Sequence, residues 1–400
     1  MLNAFDIFET LDKDSKKIFN IIQKKSPLTK GRISLMTKIP LTTLNRIIQP
    51  LEQYEIIVEA NVGESTGGRK PVLFDVNPGK YYIIGIDISR TYTKIVITNL
   101  KMDIINKLYF LMDESCTPGK TVEKISNYIT GMTFKNNIGK ESIINIGLGT
   151  VGPLDMKSGT MTWPRDFKAP GWTNVPIKKM LESKLKGQVI VENGANSAAL
   201  AEYFYGLGKG FENIAYFNCG VGIRSGTIAS GRLIRNINNA EDSFGHMVID
   251  VDGELCGCGN YGCIECYSSI NSIRDKFLSL LKKGRKSTIL KPIEEINYTD
   301  ICTAAEEGDD LSKEVIMNSA VIFGTGLANY INLLNPNLII LSGPLIKNSK
   351  LFYDVCTNTA SNKYYSREEG EVVFKRGGYF GDDAIAIGAA AMAMEHLICN

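Results

Sequence analysis

The sequence predicts an α/β protein, in which a small amino-terminal winged helix-turn-helix precedes a larger body of alternating strands and helices. Residues 15–58 carry apolar side chains at helical spacing and run into short strand-like segments. From Tyr82 onward, short apolar runs alternate with helical patterns, which is typical of a mixed sheet covered by helices. The 400 residues, 44% of them hydrophobic, are enough for two or three domains with buried cores.

The amino-terminal segment has the pattern of three short helices, with Thr29 as a suitable N-cap for the second. Pro50 removes a backbone donor within the third and predicts a bend after Gln49. At Lys38, in the turn between the second and third, a glycine would be easier to accommodate. The predicted helices are Ser15 to Lys25, Lys30 to Thr37 and Leu41 to Tyr54.

The third helix would present polar side chains suited to base edges or phosphates in a major groove. These are Thr42, Thr43, Asn45, Arg46 and Gln49. Two strands, Ile56 to Glu59 and Val72 to Asp75, would then enclose a wing. Its tip carries Arg69 and Lys70, a basic pair that is expected to contact a phosphate chain or a narrow minor groove of DNA. A helical module whose hairpin serves protein contacts would share these features.

Basic residues are concentrated in this segment. From Lys13 to Arg46 there are nine lysines and arginines against one acid, Asp14, a local charge of +8 in a chain whose net charge is +2. That charge suits a DNA phosphate backbone, although a solvated lysine-rich face would look the same.

The body of the chain is predicted as α/β with a mixed sheet. Its predicted strands are Tyr82 to Asp87, Lys94 to Thr98, Ile143 to Leu148, Val189 to Val191, Ile214 to Asn218 and Leu338 to Leu341. Its predicted helices are Thr121 to Met132, Ala195 to Tyr205, Ser269 to Lys282, Leu311 to Leu334 and Ala384 to Leu397.

One imidazole and three thiols are spaced as ligands of a tetrahedral metal site: His246, Cys256, Cys258 and Cys263. This ligand set is typical of structural Zn²⁺ and leaves no position for a reacting water. The intervening glycines allow the backbone to fold tightly round an ion. The alternative is four unconnected side chains, but the cluster contains one of only two histidines in the chain.

The nine cysteines, without a signal peptide, favour a reducing compartment in which thiols are metal ligands or small core residues. No apolar run of about 18 residues is present, so a cytoplasmic protein without a membrane span is expected. The thiols predicted to be core or surface residues are Cys116, Cys219, Cys266, Cys302, Cys356 and Cys399.

Several motifs together resemble the ROK family of repressors, open reading frames and sugar kinases. They are Gly245-His246, Cys256-x-Cys258-Gly259-x-x-Gly262-Cys263-x-Glu265, Gly147-Leu148-Gly149-x-x-Gly152-Pro153-Leu154-Asp155, Pro170-Gly171-Trp172-x-x-Val175-Pro176, Glu192-Asn193-x-Ala195-Asn196 and Gly220-x-Gly222-Ile223. The resemblance implies a two-lobed actin-like ATPase (ribonuclease H-like) fold after the amino-terminal module, which resembles the DNA-binding half of the family's repressors. The expected domains are 1–80, the winged helix-turn-helix; 81–194 plus 384–400, the first lobe; and 195–383, the second lobe with the zinc loop.

The resemblance also argues against catalysis. The place of the family's catalytic aspartate is Gly194, which cannot accept a proton, and general-base assistance is worth about 10²- to 10⁴-fold. Side chains stand in both phosphate-binding turns, Asp87-Ile88-Ser89-Arg90-Thr91 and Gly220-Val221-Gly222-Ile223-Arg224-Ser225-Gly226. No kinase activity is therefore expected.

Of the sugar-binding positions that the family implies, Asn193, His246 and Glu265 match, whereas Gly194 and Ser243 do not. The expectation is a transcriptional repressor of sugar-utilisation genes that binds operator DNA and a sugar or sugar derivative as a homodimer or dimer of dimers. The alternatives are a ROK sugar kinase that uses ATP, or a ligand-independent DNA-binding protein; activation instead of repression also stays open.

Overall fold

The computed structural model describes residues 3–60, 72–235, 243–365 and 371–399. Its helices and strands confirm the predicted α/β class. They group into two units, Met1–Ser197 with Ile385–Asn400, and Ala198–Ala384. Arg69 and Lys70, predicted for the wing tip, lie outside the described residues. Among the described helices, none is both long and apolar enough to cross a bilayer.

The amino-terminal module has the predicted order of helices followed by a hairpin. Asp12 caps the helix Lys13–Lys25 through Ser15 N at 2.7 Å. Thr29 caps the helix Lys30–Thr37 through Arg32 N at 3.1 Å, as predicted for that helix. The first helix and first strand below were not predicted. The elements are α1 Ala4–Thr10, α2 Lys13–Lys25, β1 Leu28–Thr29, α3 Lys30–Thr37, α4 Leu41–Gln53, β2 Ile57–Ala60 and β3 Leu73–Val76.

The turn between α3 and α4 needs a left-handed residue, and Lys38 takes that conformation at φ 59° and ψ 20°. α4 continues through Pro50 to Gln53. The strands form a three-stranded sheet in the order β1-β3-β2, with β3 antiparallel to both neighbours. This is a winged helix-turn-helix.

The rest of the first unit is a five-stranded mixed sheet with helices. β4 is antiparallel to β5 and parallel to β7, and the strand order is β10-β7-β4-β5-β6. β8 and β9 form a separate two-stranded sheet, and α7 begins in this unit, with its residues from Ala198 onward in the second. The elements are β4 Tyr82–Ile88, β5 Tyr92–Asn99, β6 Ile104–Leu111, α5 Pro118–Lys135, β7 Ile143–Thr150, β8 Leu154–Asp155, β9 Thr160–Met161, α6 Ile177–Leu185, β10 Val189–Asn193 and α7 Gly194–Tyr205.

The second unit repeats the plan of a mixed sheet with helices. Its strand order is β13-β12-β11-β14-β15, with β12 antiparallel and β14 parallel to β11. The aromatic rings of Phe217, Phe244 and Phe323 meet edge to face in its core. The elements are β11 Ile214–Cys219, β12 Ile223–Ala229, β13 Arg232–Leu233, α8 Glu265–Ser268, α9 Ile270–Lys282, α10 Tyr298–Glu307, α11 Asp310–Leu334, β14 Leu338–Ser342, α12 Pro344–Asn348, α13 Lys350–Lys363 and β15 Val373–Arg376.

The last helix, α14 (Ala384–Cys399), packs against the first unit's sheet so closely that its backbone contacts the backbone of two strands. A Cβ atom on Gly85 would come within 1.9 Å of the Ala386 carbonyl oxygen, and one on Gly147 within 1.8 Å of the Ala389 oxygen. Only glycine fits at these two strand positions. Short side chains on both elements therefore bring β4, β7 and α14 together.

The winged helix-turn-helix contacts the same lobe through specific side chains. Gln23 Nε2 donates to the Leu100 carbonyl oxygen at 3.0 Å, and Lys24 Nζ lies 2.7 Å from Glu395 Oε1 on α14. Phe8 packs edge to face on Tyr81, with ring centroids 5.7 Å apart. Since module and lobe fall in one unit, a domain boundary at residue 80 stays a prediction.

We expect Gly147→Ala to lower the free energy of unfolding by about 1–3 kcal/mol, because the added methyl group pushes α14 off the sheet. Gly131→Ala is the control: Gly131 is an exposed glycine within α5 with no other atom near the added methyl group. That change should raise stability by about 0.5–1 kcal/mol. Thermal denaturation followed by circular dichroism measures both, and equal midpoints for the two variants would contradict the packing argument.

Candidate functional site

Five of the seven side chains predicted to contact DNA lie together on one exposed face of α4. Thr42, Thr43, Asn45, Arg46 and Gln49 are all exposed. The opposite face is buried in the module and consists of Leu44, Ile47, Ile48 and Leu51. The helix therefore presents hydrogen-bonding groups outward from a fixed apolar base, the arrangement of a helix that reads a major groove.

The basic residues of this segment divide between surface and structure. Lys24 and Lys30 pair with Glu395 and Glu52, and Lys16 is buried. The exposed ones are Lys13, Lys17, Lys25, Arg32, Lys38 and Arg46. These six exposed basic side chains supply enough positive charge to attract a polyanion such as DNA.

The four predicted metal ligands converge in the second unit. Their ligand atoms all lie within 4.8 Å of one another. His246 Nδ1 is 3.6 Å from Cys256 Sγ, and Cys258 Sγ is 3.8 Å from Cys263 Sγ. Bond lengths of a tetrahedral zinc site give edges of about 3.6 Å between nitrogen and sulfur and about 3.8 Å between sulfurs. The cluster can hold a metal ion, and its spacing is consistent with zinc.

Backbone hydrogen bonds hold the two ends of the metal loop, residues 246–263, next to each other. Ile249 N donates to Gly262 O at 2.8 Å and Ile264 N to Met247 O at 3.0 Å, which sets His246 beside Cys263. At Gly262, with φ 69°, a Cβ atom would lie 1.6 Å from the Asp250 carbonyl oxygen. Glycine is required there for both reasons.

The thiols of the cluster differ in acidity. Burial raises the pKa of Cys258, but hydrogen bonds from the backbone of Asn260 and from Cys256 outweigh it, so this pKa lies below its usual value. Burial raises the pKa of Cys263. Cys258 is also the exposed member of the cluster, so its sulfur is accessible to a cation from solvent.

Glu265, the predicted effector contact after the last cysteine, connects the metal loop to the second of the two phosphate-binding turns, residues 220–226. Its Oε2 accepts from Ile223 N at 2.8 Å, and its backbone N donates to Gly245 O at 2.9 Å. The sequence motif did not reveal this role, because Ile223 lies 42 residues away. A metal that orders the loop would therefore also position this turn.

Asn193 and Gly194 stand where β10 passes into α7. Asn193 is fully buried, and its Oδ1 accepts from Ala195 N at 2.7 Å, so it caps the helix. A Cβ atom on Gly194 would meet Ile385 Cδ1 at 3.3 Å, so the space beside the expected base position is filled by an apolar side chain of α14. Sequence reasoning missed Ile385, which has no motif of its own.

The predicted sugar-binding residues are divided between the units. Asn193 belongs to the first unit, and His246 and Glu265 to the second. Ser243, at the second unmatched position, is exposed. That the three matching side chains contact one ligand remains a proposal.

Side chains occupy both turns that would approach a nucleotide. In the first, Arg90 Nε donates to the Arg165 carbonyl oxygen at 2.8 Å, so this guanidinium holds a neighbouring loop. In the second, Gly220 N donates to Gly222 O at 3.1 Å and closes the turn, while Arg224 is buried within β12. Phosphates favour a cradle of bare backbone, and that these two turns no longer bind a nucleotide remains a proposal.

Comparison with known proteins agrees with this geometry. The profile of the ROK family matches residues 83–396, and a profile described as winged helix-turn-helix DNA-binding matches residues 11–58. The chain belongs to the ROK family. The relatives discussed next are repressors by name.

Among sequence relatives, the xylose repressor of Bacillus subtilis (strain 168) is 28% identical over 389 residues, covering 96% of each chain. The N-acetylglucosamine repressor of Escherichia coli O6:H1 is 25% identical over 355 residues, 88% of this chain and 86% of that one. These two repressors are named after different sugars.

Among solved structures, a ROK family transcriptional regulator, a homolog of the E. coli MLC protein, superposes with a TM-score of 0.79 at 22% identity and covers 96% of both chains. A ROK family glucokinase from Streptomyces griseus has a TM-score of 0.66 at 24% identity, and its fold covers 78% of this chain and 99% of its own. Both share the predicted actin-like fold of the ROK domain, and the regulator covers nearly the whole chain.

We expect the purified protein to contain one zinc per chain by inductively coupled plasma mass spectrometry. Cys258→Ser should lower zinc content and thermal midpoint together, because a three-ligand site binds the ion more weakly. Cys266→Ser is the matched control, since Cys266 is the nearby thiol outside the four-ligand cluster. Full zinc in the Cys258 variant would argue against the assignment.

Proposed function

We propose that this chain is a DNA-binding transcriptional repressor of sugar-utilisation genes, whose ROK domain binds a sugar effector and no longer phosphorylates it. The observation that carries the proposal is the exposed polar face of α4, set in a winged module that is continuous with a ROK domain. Relatives named repressors align over both parts.

The absence of kinase chemistry is supported by three separate positions. Gly194 offers no base, and Ile385 fills the space beside it. Arg90 donates a hydrogen bond to the Arg165 carbonyl oxygen of a neighbouring loop, where a kinase would use the turn to hold a phosphate. Loss of the general base alone costs about 10²- to 10⁴-fold. Each further change removes positioning or charge stabilisation from the transition state.

We assign zinc to the His246 cluster as a structural ion. Four protein ligands complete its tetrahedral shell, so the ion supplies no activated water and instead fixes the loop that carries Glu265. Reduced thiols at these positions fit a cytoplasmic protein.

A homodimer, or a dimer of dimers, fits the way in which paired helix-turn-helix modules read two half-sites about one helical turn apart. The effector would act by changing the geometry or mobility of the two reading heads. The contacts of Gln23 and Lys24 with the first lobe give a physical route for that change.

A second candidate, a ligand-independent DNA-binding protein, shares every feature except a usable effector site. The buried, helix-capping Asn193 favours it, because that side chain already has a structural role. Calorimetric titration with sugars separates the two candidates.

We expect Arg46→Ala to weaken binding to an operator selected from a random duplex library by about 10- to 100-fold, the loss of one good base or phosphate contact. Lys120→Ala is the control, because Lys120 is an exposed lysine on α5, outside the winged module. Fluorescence anisotropy at fixed salt measures both variants. Equal affinities would mean that α4 does not face the DNA.

We expect no ATP-dependent phosphorylation of D-glucose, D-xylose or N-acetyl-D-glucosamine in a coupled ADP-release assay. Gly194→Asp should not create activity, and it should destabilise the fold by about 1–3 kcal/mol, because its carboxylate is placed among buried atoms beside Ile385. Gly194→Ala separates the steric part from the charge and should cost less. Sugar-dependent ADP release by the unmodified chain would overturn the proposal.

A further inference from the structure

The two tryptophans of the chain lie in one loop but in opposite environments. Trp172 is buried, stacks on Phe167 with ring centroids 4.2 Å apart, and donates through Nε1 to the Cys116 carbonyl oxygen at 3.0 Å. Trp163 is 64% exposed. An indole ring is large and mostly apolar, so its exposure gives up the stabilisation that burial would provide.

Exposure alone does not mark a site, because Phe134 and Tyr365 are exposed even more, at 85% and 91%. Trp163 differs in its place in the fold, and the backbone on both sides of it is hydrogen-bonded to other segments of the first unit. Thr162 N donates to the Pro153 carbonyl oxygen at 3.0 Å, and the Arg165 carbonyl accepts from Arg90 Nε at 2.8 Å. The loop therefore presents the indole from a defined position.

That position is the carboxyl edge of the first sheet. Thr150, at the end of β7, pairs with Asn193 on β10 and with Ile88 on β4. Its Oγ1 also lies 3.8 Å from the sulfur of Met161, two residues before Trp163. Open α/β sheets bind their ligands outside the carboxyl ends of their strands.

The chemistry of the edge suits a stacked ring. A pyranose has one face of C–H groups, which packs on an indole, and a rim of hydroxyls, which needs hydrogen bonds. With Gly194 in place of a carboxylate, the edge has lost a charged hydrogen-bond acceptor. Apolar stacking would then supply a larger share of the affinity.

We propose that Trp163 is a binding residue for the sugar effector, stacking on the C–H face of its ring and selecting sugars that expose such a face. This inference rests on the proposed function, since it presumes that a sugar binds to the ROK domain.

The test uses the full-length protein and the probes D-xylose, N-acetyl-D-glucosamine and D-glucose. Trp172→Phe leaves Trp163 as the sole tryptophan, so its emission reports on that side chain alone. We expect one of the three sugars to change that emission saturably. Calorimetry should show affinity weakened at least tenfold in Trp163→Ala and less than about threefold in Trp163→Phe, which keeps an aromatic face.

The outcomes separate the two proposals. If a sugar binds with equal affinity to Trp163→Ala and the unmodified chain, the stacking role is wrong while the effector function stands. If none of the three binds by calorimetry, both the stacking role and the sugar-sensing part of the proposed function are overturned. If the Trp163 emission shifts with protein concentration instead of sugar, and the molecular mass in solution rises in parallel, Trp163 takes part in self-association. That result would also reject the stacking role.

Discussion

The first unit depends on backbone contact between α14 and the strands β4 and β7. Gly85 and Gly147 let the carbonyl groups of Ala386 and Ala389 lie where side chains would otherwise stand. Close packing of this kind transmits displacement well, because well-packed interiors have little free volume to absorb it. α14 is therefore a structural part of a sheet whose strands β4 and β7 lie far earlier in the chain.

The same helix touches two functional regions. Near its start, Ile385 contacts Gly149 and Gly194 at the sheet edge; near its end, Glu395 pairs with Lys24 of the winged module. Ten helical residues separate these contacts, about 15 Å. In the proposed repressor, α14 is thus a rigid connection between the effector edge and the DNA-binding module, and both contacts lie within one unit.

Sequence patterns predicted many of the elements and missed others, among them β12, although most of its residues are buried. α4 was predicted to within one residue, because its apolar face repeats at helical spacing. α3 buries only Ile33, and its bounds were predicted from the Thr29 cap and the turn at Lys38. β6 was missed since Ile105, Tyr109 and Leu111 are exposed on its outer face, which erases the alternation that marks a strand. α1 was missed because it buries only Ala4 and Phe8.

At the site, local spacing predicted the metal cluster, but contacts between distant residues decided what the remaining positions do. Nothing in the motif around Gly194 reveals Ile385. A domain that does not consume its ligand responds to it only through differential affinity between two states. A tenfold change in operator binding needs about 1.4 kcal/mol. A single hydrogen bond such as that from Gln23 to Leu100 contributes about 0.5–1.5 kcal/mol, so the few contacts between module and lobe are sufficient to carry that signal.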